Sequence, residues 1–229
     1  MTDQIRVLLV DDQTLIRVGF RLVLEADPGI VVVGDAGDGA EAIARTRELR
    51  PDVVIMDVRM PGIDGIAATQ AIVAQHPDVR VLVLTTFDLD EYAFGAIRAG
   101  ASGFLLKDAQ GAELIAAVRA VHRGDGALAP RATRALLDHL APRLPDGPSG
   151  VNASAPAPQT DRLAELTERE RDVFHAIAHG LSNSEIAERF YLSESTVKTH
   201  VGRVLAKLAA RDRVHVVILA YEWGLVEPA

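Results

Sequence analysis

Five short apolar runs, each followed by a stretch of helical period, fill the first 123 residues. The runs are 5–10, 30–35, 52–57, 79–85 and 103–106, with amphipathic stretches near 14–25, 39–49, 64–75, 90–99 and 110–122. This alternation predicts βαβ units, in which parallel strands are buried on both faces beneath helices. The expected fold class is an α/β doubly wound five-stranded parallel sheet, followed by a small all-α domain. In the first helix, Leu15, Val18, Leu22 and Leu24 form the expected inward stripe.

The residues that close these runs carry the chemistry. Asp11 and Asp12 follow the first run, Asp57 ends the third, Thr85 ends the fourth and Lys107 follows the fifth. In an open parallel sheet these ends share one edge, where such folds place their ligands. Three clustered acids repel one another unless a cation sits among them. Taken singly, Asp11 and Asp12 fit an N-cap, and Lys107 fits a surface lysine with a buried stem. Taken together with Thr85, they point to a magnesium-dependent phosphoryl site with Asp57 as acceptor. Met60-Pro61-Gly62 and Asp64-Gly65 add a tight turn beside it.

Composition bounds the rest. With 229 residues and 48% hydrophobic content the chain can hold two cores, and with 4% aromatics those cores must be aliphatic. The absence of cysteine excludes disulfides and thiolate metal sites. No apolar run approaches the roughly 20 residues of a membrane span, and the amino terminus does not read as a signal peptide. The expectation is a cytoplasmic protein without membrane contact. A net charge of −8 disfavours non-specific nucleic-acid binding, yet residues 195–213 set Lys198, Arg203, Lys207, Arg211 and Arg213 against Asp212 alone.

Residues 141–161 hold Pro142, Pro145, Pro148, Pro156 and Pro158 among small and polar residues, the composition of a linker. The expected division is 1–124, then a short helix near 131–140 and the linker within 125–162, then 163–229. Beyond the linker every apolar segment has helical spacing. Thr167-Glu168-Arg169-Glu170 and Ser182-Asn183-Ser184-Glu185 are capping boxes, and Ser193 can cap a further helix running to about Leu208. Two of these helices, joined by a tight turn, form a candidate helix-turn-helix.

LLVDD, DVRMPGIDG, LTTFD and GFLLKD over residues 4–123 resemble the receiver domain of bacterial two-component response regulators, a flavodoxin-like fold. The resemblance implies that Asp57 takes a phosphoryl group from a sensor histidine kinase. It also implies Mg²⁺ held by Asp12, Asp57 and the Arg59 backbone carbonyl, with Asp11 assisting. Thr85 would bind a phosphoryl oxygen, Lys107 would pair with the added charge, and Phe104 would rotate inward as a switch. Thr86 departs from the small residue common in receivers and would narrow access to the phosphate. A plain core phenylalanine is the other reading of Phe104.

LTERERDVFHAIAHGLSNSEIAERFYLSESTVKTHVGRVLAKL, from about Leu166 on to Val226, resembles the LuxR-type helix-turn-helix of the NarL/FixJ family. The resemblance implies that Ser193–Leu208 is the recognition helix in the major groove of promoter DNA. Lys198, Thr199 and Arg203 are the outward candidates for bases or phosphates. Thr196, His200, Lys207 and Arg211 are secondary phosphate candidates, and His200 reads equally well as structural. Gly202 stands where many relatives carry a longer polar side chain. A homodimer on phosphorylation or on DNA is implied through the final helix, where Val214, Val217, Ile218 and Tyr221 serve either pairing or core.

Two functions of different class follow. One is a phosphorylation-activated transcriptional regulator, a protein that is not an enzyme beyond slow loss of its own phosphate. The other is a metal-dependent aspartyl phosphohydrolase. The second is disfavoured because Asp57-Val58-Arg59 places arginine where such enzymes commonly carry a second acid, and because no cap insertion is present.

Overall fold

The computed structural model describes residues 4–85, 91–125, 127–128 and 163–225. The chain divides into two compact units between residues 132 and 133. The expected helix near 131–140, the proline-rich stretch, Thr86 and Val226 lie outside the described residues.

In the first unit β1 (Ile5–Val10), α1 (Thr14–Glu25), β2 (Ile30–Ala36), α2 (Gly39–Leu49), β3 (Val53–Asp57) and α3 (Gly65–Gln75) alternate as read from the sequence. They are followed by β4 (Arg80–Thr85), α4 (Glu91–Arg98), β5 (Gly103–Leu106) and α5 (Gly111–His122). All pairings are parallel, in the order β2-β1-β3-β4-β5-β6. The sixth strand, β6 (Ala127–Leu128), was not expected. After Gly124, at φ 78°, the chain turns and lays these two residues beside Gly103 and Phe104, so the sheet runs past residue 124.

Strand alternation sorts the core onto two faces. Leu8, Val10, Val54, Met56, Val81, Val83 and Phe104 face Ala42 of α2, Ala68 and Ile72 of α3 and Ala96 of α4. Val7, Leu9, Val53, Ile55, Leu82 and Leu84 face Leu24 of α1 and Leu114, Val118 and Val121 of α5.

The rotation of α1 corrects the sequence reading. Leu24 is buried, but Leu15, Val18 and Leu22 are 82%, 49% and 69% exposed. The helix carries two apolar stripes, and the one with Phe20, Val23 and Leu24 packs on the sheet. In this rotation Arg17 and Arg21 also pair with Asp35 near the end of β2, at 2.9 and 3.4 Å. A short apolar stripe is therefore left on the surface of α1, beginning three residues after Asp12.

The second unit contains α6 (Glu168–Ala178), α7 (Asn183–Phe190), α8 (Glu194–Leu208) and α9 (Arg213–Glu222). Both predicted capping boxes form, at Thr167/Glu170 and Ser182/Glu185. Its core joins Val173, Phe174 and Ile177 to Ile186, Val197, Val201, Val204 and Leu208. Val214, Val217 and Tyr221 are also buried within the unit, so the core reading holds for them; Ile218 alone of the proposed pairing residues is half-buried.

Candidate functional site

The sheet order reverses on either side of β1, which opens the crevice between the ends of β1 and β3. Asp11 and Asp57 lie at those ends, 3% and 5% exposed, and Asp12 projects into solvent beside them. One ligand atom from each of the three acids lies within 4.8 Å of the others. Neither acid of the β1 end caps α1: the N-cap is Gln13, and Asp11 instead accepts from the Gln13 N–H at 2.9 Å.

Lys107 closes the cluster. Its Nζ lies 2.6 Å from Asp11 Oδ2 and 2.9 Å from Asp57 Oδ2, and its side chain is only 8% exposed, so it is not a surface lysine. The strand ends set this reach: the Lys107 N–H donates to the Thr85 carbonyl at 2.8 Å, continuing the β4–β5 ladder. Thr85 is itself 4% exposed at the end of β4.

The electrostatics follow from this burial. Loss of water pushes the Asp57 carboxyl above its ordinary range, against the opposing pull of Lys107 and the Arg59 N–H. Burial alone would lower the Lys107 ammonium, but hydrogen bonds and charge from Asp11 and Asp57 overcome it and raise the group. The carboxylates outnumber the ammonium, a donor set that suits a hard, oxygen-seeking cation. Phe104 is 1% exposed and packs in the core.

In the second unit Lys198, Thr199 and Arg203 are exposed on α8. His200 and Thr196 are half-buried, and Thr196 Oγ1 lies 2.8 Å from the capping Ser193 Oγ. Lys207 departs from the expectation: its Nζ bonds Glu170 Oε2 at 2.6 Å and the Glu165 carbonyl at 2.9 Å. That ammonium ties α8 to α6. Arg211 lies half-buried with Nε 3.7 Å from Asp212 Oδ2.

Family comparison matches residues 7–119 to the response regulator receiver domain and residues 164–220 to the bacterial regulatory proteins of the luxR family. The chain is 42% identical to the uncharacterized transcriptional regulatory protein YxjL of Bacillus subtilis (strain 168), covering 98% of this chain and 99% of YxjL. It belongs to the two-component response regulators with a LuxR-type DNA-binding domain. It is also 40% identical to the DNA-binding transcriptional activator DevR/DosR of Mycobacterium tuberculosis, over 95% of this chain and 94% of that protein. The crystal structure of the response regulator ChrA of a heme-sensing two-component system shares 34% identity and a TM-score of 0.51, covering 98% and 100% of the two chains.

This regulator carries two supports that its motifs did not disclose. In the receiver, a Cβ on Gly39 would meet the Ile63 carbonyl at 2.3 Å, so the start of α2 braces the loop after Asp57. In the LuxR-type domain, the Lys207 ammonium and the Thr167 backbone hold Glu170 down at about 2. A depressed carboxyl stabilises the fold above its unfolded value of 4.5, and this support is lost as pH falls from there towards 2. The expected result is a loss of stability of the second domain in that window, with Glu170→Gln flattening the pH dependence. Trp223, the chain's one tryptophan, stacks on Phe174 at 6.1 Å and reports the transition by fluorescence. An unchanged pH dependence in the variant would refute the assignment.

Proposed function

We propose that Asp57 accepts the phosphoryl group of a sensor kinase's phosphohistidine, and that this modification switches promoter binding through α8. A carboxylate oxygen of Asp57 attacks phosphorus, the P–N bond breaks, and the imidazole leaves with the kinase. Lys107 neutralises charge developing on the phosphoryl oxygens, and the Thr85 hydroxyl donates to one of them. Asp11, Asp12, Asp57 and the Arg59 carbonyl would hold Mg²⁺, which when bound supplies further neutralisation of those oxygens. The observation that carries the reading is Lys107 buried between Asp11 and Asp57 at the sheet's switch point.

A phosphoryl donor must approach this edge of the sheet. The exposed stripe of Leu15, Val18 and Leu22 on α1, which begins three residues after Asp12, gives a kinase an apolar face. Thr85 carries the change outward from the acceptor, and Phe104 keeps the core role its burial gives it. Lys198, Thr199 and Arg203 serve as the DNA-facing set, with Thr196, His200 and Arg211 as flanking groups. Few cations per copy favour two copies on paired half-sites. The regulator works in the cytoplasm; no helix among the described residues is long and apolar enough to cross a membrane. Self-dephosphorylation is the only turnover expected.

The test is the full chain with Mg²⁺ and beryllofluoride, a phosphoryl mimic, on a duplex that the chain itself enriches from a random pool. Dimerisation and affinity should both rise, and Asp57→Asn should abolish the response. Unchanged affinity on adding the mimic would sink the switching mechanism.

A further inference from the structure

The turn between α7 and α8 ends α7 on a left-handed residue, Tyr191, at φ 55° and ψ 45°. Glycine or asparagine is the usual occupant, because a bulky L side chain is disfavoured there. The turn itself is well formed: the Leu192 N–H reaches back to the Ala187 carbonyl at 2.9 Å. Arg50 and Ala209 adopt the same conformation, so strain alone does not single out Tyr191. Its ring does. Tyr191 is 96% exposed, more than any other large hydrophobic residue described. The neighbouring Phe190 lies under the Arg169 guanidinium at 4.6 Å, whereas Tyr191 packs on almost nothing of its own chain.

Its surroundings say what can cover it. Two residues on begins a cluster of hydroxyls: Ser193 Oγ lies 2.8 Å from both Ser195 Oγ and Thr196 Oγ1, and exposed Lys198 follows. This is the amino-terminal end of α8, the end that enters the major groove in helix-turn-helix docking while the preceding helix crosses the backbone. A side chain at that junction faces the sugar-phosphate rim of the groove. Tyrosine offers a flat apolar ring and one O–H donor, a combination that suits deoxyribose and a phosphate oxygen.

We propose that Tyr191 is a DNA-backbone contact, its hydroxyl donating to a phosphate beside the groove that receives α8. The proposal rests on the DNA-binding reading of the second domain and adds a positioning residue outside the recognition helix. Loss of a phosphate contact weakens binding alike on all sequences, and a neutral donor releases no counterion.

The experiment measures binding of the full chain by fluorescence anisotropy, with a self-enriched duplex and an unrelated duplex of equal length, across salt concentrations. Tyr191→Gly should weaken both duplexes roughly tenfold and leave the salt slope unchanged. Tyr191→Phe should retain part of the affinity. Lys198→Ala, the charged control, should lower the salt slope by about one. Because glycine relieves the backbone, Tyr191→Gly should also raise the Trp223-reported unfolding midpoint by several degrees. Wild-type affinity in Tyr191→Gly overturns the proposal; if transcription alone falls, the ring serves a protein partner. A lowered midpoint overturns it too, since the ring would then belong to the fold. A wild-type chain that enriches no duplex would instead remove the DNA-binding reading itself.

Discussion

Lys107→Ala should unfold the receiver on the order of 10–20 °C below the wild type in the absence of divalent cation, leaving the Trp223-reported transition in place. The Lys107 ammonium is bracketed by two carboxylates at 2.6 and 2.9 Å, with the three side chains 8%, 4% and 7% exposed. Removing one partner from such a group strands the others as uncompensated buried charge, which costs about 3–5 kcal/mol. Asp57 is already raised by burial, and losing Lys107 removes the main pull in the other direction. A raised carboxyl destabilises the fold above its folded value, and the penalty vanishes once pH drops below the unfolded 3.8. The gap between variant and wild type should therefore narrow on acidification. Mg²⁺ should restore part of the lost stability at neutral pH by replacing the missing positive charge. Calorimetry of the full chain checks all three. A variant as stable as the wild type, or one indifferent to both acid and Mg²⁺, would show that the acids and the ammonium are not coupled.

The site was legible because each of its residues closes an apolar run. Burial of the run fixes the strand, and parallel order then brings Asp11, Asp57, Thr85 and Lys107 to one edge. What the pattern did not contain was rotation. On α1 the residues Leu15, Val18 and Leu22 have the same helical spacing as a buried stripe, and they lie on the outside. The choice depends on how α1 packs against the sheet and on its pairing of Arg17 and Arg21 with Asp35, contacts between elements that no window along one helix encodes. Lys207 misled for a similar reason: its charge belongs with a basic stripe in sequence but is bound in space to Glu170, 37 residues away. β6 has only two residues, too few to show any period, and it exists because β5 offers an open edge.

Gly65→Ala should lose both stability and phosphoryl uptake, although alanine is the better helix former. A Cβ at this position would lie 1.8 Å from the Asp57 carbonyl oxygen, 2.8 Å from its carbon and 3.0 Å from the Val58 Cα. All three neighbours are backbone, so no rotamer change relieves the clash; either the end of β3 or the start of α3 must move. The start of α3 is pinned by the Gly65 N–H to the Val58 carbonyl at 2.9 Å and by Asp64 accepting from the Ala67 N–H at 2.8 Å. Displacement therefore falls on Asp57 itself. Overpacking of this kind costs about 1–3 kcal/mol or more, and the helix-propensity gain of about 1 kcal/mol does not offset a backbone clash. A misplacement of about 1 Å at a reacting group slows chemistry on the order of a hundredfold, read here as labelling of the full chain by acetyl phosphate with Mg²⁺. Gly202→Ala on α8 supplies the contrast. Its Cβ would meet nothing within 4 Å, so the same substitution should stabilise the second domain by up to about 1 kcal/mol. Opposite signs from one chemical change isolate the packing of α3 against β3 as the cause; if Gly65→Ala also stabilised its domain and labelled normally, the end of β3 would not be held by that contact.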